Sequence, residues 1–135
     1  MARKAILARA DREVGKMKFV TPEQLPYREM REGVRLKAAW GDSIMVTLTE
    51  MAPGSLIPEH YHPHEQVGIV LSGSVQVTLE GTIRVLEAGQ MYFASGNERH
   101  QIVAMESGAV VRDIFSPLRE EFSAPEKAEK HYFPR

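Results

Sequence analysis

The chain has 135 residues and a formal net charge of -1, from 17 basic and 18 acidic side chains. That length fits one domain, and the balanced charge excludes the concentrated basic face needed to hold a nucleic-acid backbone or an anionic membrane surface. Cysteine is absent, which excludes disulfides and restricts any metal site to nitrogen and oxygen donors.

Residues 1–33 are charged and weakly patterned, with Pro22 and Pro26 discouraging a long helix. They read as an N-terminal arm with a short helix near its start, and Met17 offers an alternative start. The apolar stretch Ala5 to Ala8 falls short of the roughly 7–15 residues of a secretory segment. No run approaches the ~20 apolar residues of a membrane span. A soluble, cytoplasmic protein is expected.

From Val34 to Phe115 the rhythm changes to short strands. VRLKAAW, SIMVTLTEM, QVGIVLSG, SVQVTLEG, TIRVLEAG, QMYFAS, HQIVAME and AVVRDIF are rich in Val, Ile and Thr. Several alternate apolar with polar, as Val75, Val77 and Leu79 do against Gln76 and Thr78. Turns are expected at Gly41-Asp42, Ser72-Gly73, Glu80-Gly81, Ala88-Gly89, Gly96-Asn97 and Ser107-Gly108. Strand-turn-strand at this spacing predicts an all-β antiparallel sandwich or barrel. Ser116 followed by Pro117, with Glu120 and Glu121 behind, predicts a capped short helix. The expected organisation is an arm over 1–33, a barrel with a short C-terminal helix over 34–122, and a charged tail over 123–135.

The chemistry concentrates in PGSLIPEHYHPHEQVGIVLSG. His60, His62, His64 and Gln66 fall on alternate residues, so an extended strand aims them at one face. His60 and His62 can converge on one ion, but four donors cannot in a straight strand, since each two-residue step advances about 6.6 Å. Pro63 predicts a distortion that returns Gln66 to the same point and displaces His64 to the rim or behind the ligands. His100 is the candidate donor from a neighbouring strand. Three neutral imidazoles and a neutral amide would leave the full charge of a divalent ion in place. That favours Lewis acidity over stabilisation of a trivalent state, and so non-redox chemistry. Glu59, Glu65 and Glu98 read as solvated rim residues.

These residues resemble the motifs of the cupin family. Its first motif is Gly, five residues, His-x-His, three or four residues, Glu, six residues, Gly. Gly54, His60, His62, Gln66 and Gly73 match it, with Gln in place of Glu. Gly89 and His100 match the second motif, in which Ser95 stands for a Pro and Asn97 for a Gly; Asn tolerates positive φ better than most residues. The resemblance implies a jelly-roll barrel holding one divalent ion (nickel, zinc, manganese or iron) through His60, His62, Gln66 and His100.

HPHEQ–GIVLSGS together with RDIFSPLREEF is also similar to the small cupins of pectin and alginate degradation. That likeness implies a non-redox isomerase of carbohydrate metabolism that converts a 4,5-unsaturated monouronate to its linear keto acid. Asp113, Phe115 and Arg119 stand where that family carries Asp, Phe and Arg. Arg119 is then expected, just inside the short helix, to clamp a carboxylate-bearing sugar. Asp113 is expected to move a hydroxyl proton. Alternatives are a cupin polyketide cyclase, a dioxygenase and a non-enzymatic small-molecule-binding cupin. A homodimer is expected, because cupins commonly pair through their sheets.

Overall fold

A computed structural model describes residues 18–123. The strands run in the order β1 (Arg28–Arg31), β2 (Val34–Trp40), β3 (Met45–Met51), β4 (Leu56–His60), β5 (Glu65–Leu79), β6 (Thr82–Glu87), β7 (Met91–Ala94) and β8 (His100–Ser116). A four-residue helix, α1 (Glu120–Ser123), follows. A short 3-10 turn at Pro22–Gln24 and strand β1 fall inside the segment read from sequence as an arm. The expected helix near the start and the tail beyond Ser123 lie outside the described residues.

All pairings are antiparallel, in the order β1-β2-β3-β8-β5-β6, with β4 on β8 and β7 on β5. Alternation drives the strands: MVTLTEM in β3 buries Met45, Thr47, Thr49 and Met51 and leaves the residues between them half-buried. Two expected turns prove to be bends. Ser72-Gly73 lies within β5 and Ser107-Gly108 within β8, and the β5–β8 register shifts at Val70/Ser72 and Gly73/Val75. Each is a bulge in a continuous strand. Gly73 and Gly108 have φ of 72° each, and a Cβ on Gly73 would collide with the Gly108 carbonyl. Only glycines let the two bent strands cross this closely.

The bends let two long strands serve both walls of the barrel. Gln66 to Gly73 of β5 pairs with the end of β8, while Val75 to Leu79 pairs with its beginning, His100 to Ala104. Val34, Leu36 and Met45 from one wall and Val75, Val77 and Ile102 from the other join one core cluster. Glu80 and Gly81, at φ 47° and 84°, form the two-residue hairpin that joins β5 to β6. The strand bend therefore sets the start of β8 and the end of β4 facing the start of β5 across the barrel mouth.

Ser116 is the last residue of β8, paired with Glu65, and the Ser116–Pro117 peptide is cis. The expected cap at Ser116 is thus sheet instead, and the helix begins at Glu120. No helix among the described residues is long and apolar enough to cross a membrane.

Candidate metal centre

Four chain segments bring the candidate ligands together. His60 ends β4 and is the cross-strand partner of His100, which opens β8; their rings lie 4.2 Å apart. His62 sits in the loop after β4, and Gln66 near the start of β5. The turn before β8 fastens that loop, because the Asn97 amide donates to the His62 carbonyl at 2.7 Å. Asn97 adopts φ 68°, as its place in the second motif requires. A Cβ on Gly96 would lie 2.6 Å from the Pro63 carbonyl oxygen, so this glycine permits the turn to press against the loop.

The outer nitrogens set the tautomers. Nδ1 of His60, His62 and His100 lies 2.9, 3.1 and 2.8 Å from the carbonyls of Pro58, His64 and Glu98 respectively. A carbonyl only accepts, so each Nδ1 carries the proton and each Nε2 is the basic nitrogen. Burial pushes His60 and His62 down to about 3, helped by nearby His100 and Arg119. His100 is lowered too, again mainly by burial. Neutral imidazoles whose far nitrogens are anchored are the form that ligates metal.

Gln66 supplies a more specific sign. Its amide nitrogen donates to the Tyr92 hydroxyl and to Asp113 Oδ1, each at 3.0 Å. That orientation turns Oε1 towards Nε2 of His62, also at 3.0 Å. Both facing atoms carry lone pairs and neither carries a proton, an arrangement that favours a cation between them. Two donors at right angles on an ion ~2.1 Å away are themselves separated by about 3.0 Å. Nε2 of His100 is buried without a hydrogen-bond partner, which a structural histidine would not tolerate cheaply. His60, His62 and His100 offer donor atoms within 4.8 Å of one another, and the three can hold a metal ion. His64 stands outside that cluster. It is half-buried, its ring 5.2 Å from that of His62.

The remaining expected residues gather on the same cavity, of about 30 Å³, lined by His60, Gln66, Asp113, Phe115, Arg119 and Phe122 among others. Asp113 is buried, and its carboxyl is raised to about 6 by desolvation, against the pull of Gln66 and Arg119. Arg119 precedes α1 and is only 3% exposed, not on the solvated rim. Its guanidinium lies 4.5 Å from the Phe122 ring centre and 5.3 Å from that of Phe115, and it donates to Glu121. Of the rim acids, Glu59 pairs loosely with Arg99 at 3.6 Å. Glu98 accepts from the Ser95 amide, so it shapes the turn.

A model of the cupin domain family matches residues 47–112. The pectin degradation protein KdgF of Dickeya dadantii (strain 3937) is 35% identical over 107 residues, which is 78% of this chain and 97% of that protein. This chain belongs to the cupin family. Among solved cupin structures, KdgF from Halomonas sp. superposes with a TM-score of 0.73 at 28% identity, over 77% of this chain and 96% of that one. An RmlC-like cupin from Shewanella frigidimarina NCIMB 400 gives 0.75 at 29% identity, over 79% and 96%.

Sequence reasoning passed over Tyr92, Gly68 and Glu121. Gly68 pairs with Tyr92 on one side and Asp113 on the other. A Cβ there would collide with the Tyr92 ring and lie 2.9 Å from Asp113 Oδ1. A glycine inside the strand run QVGIV was the available signal of a close approach. Tyr92 falls at an unspecified position of the second motif, and Glu121 read only as an acid in the first turn of the helix, so neither carried such a mark.

Proposed function

We propose that this cupin is a metal-dependent isomerase that opens the ring of a 4,5-unsaturated monouronate to its linear keto acid. The observation that carries the reading is the meeting of Gln66, Asp113, Phe115 and Arg119 on one cavity beside the three-histidine cluster. It is supported by similarity along most of the chain to a pectin degradation protein, pectin being a polymer of uronates. In this reading His60, His62, His100 and Gln66 Oε1 hold one divalent ion of nickel, zinc, manganese or iron type, which supplies Lewis acidity towards a ring or carbonyl oxygen.

The chain's own side chains do the rest. Arg119 holds the substrate carboxylate through its paired donors, and Phe115 packs against the sugar face. Asp113 accepts the proton of the anomeric hydroxyl, so the anomeric carbon becomes an aldehyde as its bond to the ring oxygen breaks. The ring oxygen departs with that electron pair as the enol oxygen on C5. Returning the proton to C4 gives the ketone, and in this reading Asp113 returns it. The balance is an isomerisation with no oxidant, which suits a donor set without a carboxylate. Gln66 aligns Asp113 through its amide hydrogen.

Proton NMR of the metal-loaded protein with unsaturated galacturonate tests this: the vinyl C4 signal should vanish faster than in protein-free solution. A metal-replete protein inactive on every unsaturated uronate would overturn the assignment. A cytoplasmic homodimer belongs to the same proposal, checked by cell fractionation and by sedimentation, where a monomer would count against it.

A further inference from the structure

The cavity beside the three-histidine cluster is smaller than a sugar. The cavity of about 30 Å³ has room on the scale of a water, whereas small-molecule pockets run to roughly 300–1,000 Å³. Arg119 and Phe122, each 3% exposed, line it. Two contacts fix that side. Arg28 of β1 donates to the Phe122 carbonyl, which anchors the backbone of α1. Glu121 accepts from Arg119 Nε at 3.1 Å and Nη2 at 2.6 Å, which anchors the guanidinium.

The two partners of this ion pair differ in freedom. The Arg119 side chain is 3% exposed, but that of Glu121 is 21% exposed and borders the outer basin with His64 and Leu118. Glu121 can rotate into water without moving the chain. Arg119, stacked near Phe115 and Phe122, cannot. Losing Glu121 with nothing in its place would remove two charge-assisted hydrogen bonds from a buried guanidinium, which Asp113 only partly offsets. Losing it to another carboxylate exchanges one charge-assisted pair for another.

We propose that Glu121 is a specificity-determining positioning residue: its carboxylate occupies, on the Arg119 guanidinium, the seat that the substrate's own carboxylate takes. An acid can exchange its carboxylate for that of Glu121; a neutral sugar has no carboxylate to exchange. The tethered carboxylate is an internal competitor at millimolar effective concentration or above. It therefore weakens binding of acids somewhat while leaving neutral ligands without a partner for exchange. This deepens the uronate reading and rests on it.

Calorimetry with D-galacturonate, a saturated uronate that cannot ring-open to the keto acid, tests the exchange on metal-loaded wild type, Glu121→Gln and Glu121→Asp. Methyl D-galactoside serves as the neutral probe. Glu121→Gln should bind galacturonate about tenfold more tightly, Glu121→Asp should stay near wild type, and the neutral glycoside should gain nothing. A merely structural role for Glu121 predicts the opposite sign, with weaker binding and a lower melting temperature together. Equal or weaker binding by Glu121→Gln overturns the proposal, as does absence of galacturonate binding by both proteins. Turnover of unsaturated galacturonate, measured in parallel, separates the two readings. Turnover with unchanged galacturonate affinity in Glu121→Gln sinks only the role of Glu121. Tighter binding without wild-type turnover sinks only the ring-opening assignment.

Discussion

Gln66 is held by partners of different kinds, and its neutrality matters to each. Its amide nitrogen serves Tyr92 and Asp113, and its oxygen faces His62. Replacing it with Glu would set a second carboxylate 3.0 Å from that of Asp113 in place of a donor. Two such groups cannot both ionise comfortably, and an ion ligated by the new carboxylate would be a weaker Lewis acid. Gln66→Glu should therefore retain metal and lose turnover, and equal turnover with the same ion would show that the amide has no electronic role. His100→Ala removes the candidate ligand from β8. It should lower metal affinity by at least ~100-fold, beyond the effect of losing an outer partner of a ligand, as read by metal analysis after dialysis. Unchanged occupancy would remove His100 from the site. The sequence announced these candidate ligands because alternate-residue spacing and two motif frames depend on local geometry. It set Arg119 just inside the helix, whereas Arg119 precedes α1, and its burial between two phenylalanines was not legible because that depends on how α1 folds back over the mouth.

At the scale of strands, the difference between a turn and a bulge separated expectation from structure. Ser72-Gly73 and Ser107-Gly108 have the composition of turns, and only the pairing partner decides which they become. Here β5 and β8 bend against one another, so both stay in the sheet. Single-sequence signals carry φ preference but not the identity of the strand opposite, which is why the eight strand-like runs were visible and their fusion into long bent strands was not. Strand β1 was missed, and β4 was not among the strand-like runs, for a related reason: a short strand close to Pro26 or containing Pro58 looks like loop. Two glycines in this region make the point measurable. Gly81 has φ 84° and open space around a would-be Cβ, while Gly73 has φ 72° and the Gly108 carbonyl in the way. Gly81→Ala should cost only left-handed strain, about 1 kcal/mol. Gly73→Ala adds a backbone collision and should cost more than about 3 kcal/mol. Comparable melting temperatures for the two variants would mean that the bend relaxes easily.

Across the whole molecule, chemistry and anchoring sit at opposite ends of the barrel. The histidines lie at the mouth. The other end carries a groove of about 710 Å³ whose lining includes Tyr27, Arg35 and Glu50. There Arg35 covers the Tyr27 ring at 3.9 Å and pairs with Glu50 at 2.7 Å, while the Tyr27 hydroxyl donates to Glu50. These bonds tie the segment before β1 to β2 and β3. The hydrogen bond from Tyr27 and then that from Arg35 hold the Glu50 carboxyl below its ordinary 4.5. Donating that same bond pushes the Tyr27 hydroxyl above its ordinary 10.0. A depressed carboxylate adds stability that is fully present above the unfolded value and fades as pH falls through the lower folded one. A raised phenol adds stability below 10.0 that fades as pH climbs through its higher folded value. Stability should therefore show a plateau between these limits, with an acid shoulder belonging to Glu50. In Glu50→Gln the melting temperature should fall on the plateau by a modest amount, because the pair is partly exposed. That difference should close as pH drops below 4.5, where wild type loses the same charge. Since the site lies at the other end, metal content of this variant should match wild type throughout. A gap that persists into acid would assign the stabilisation to packing around Tyr27 instead of the Glu50 charge.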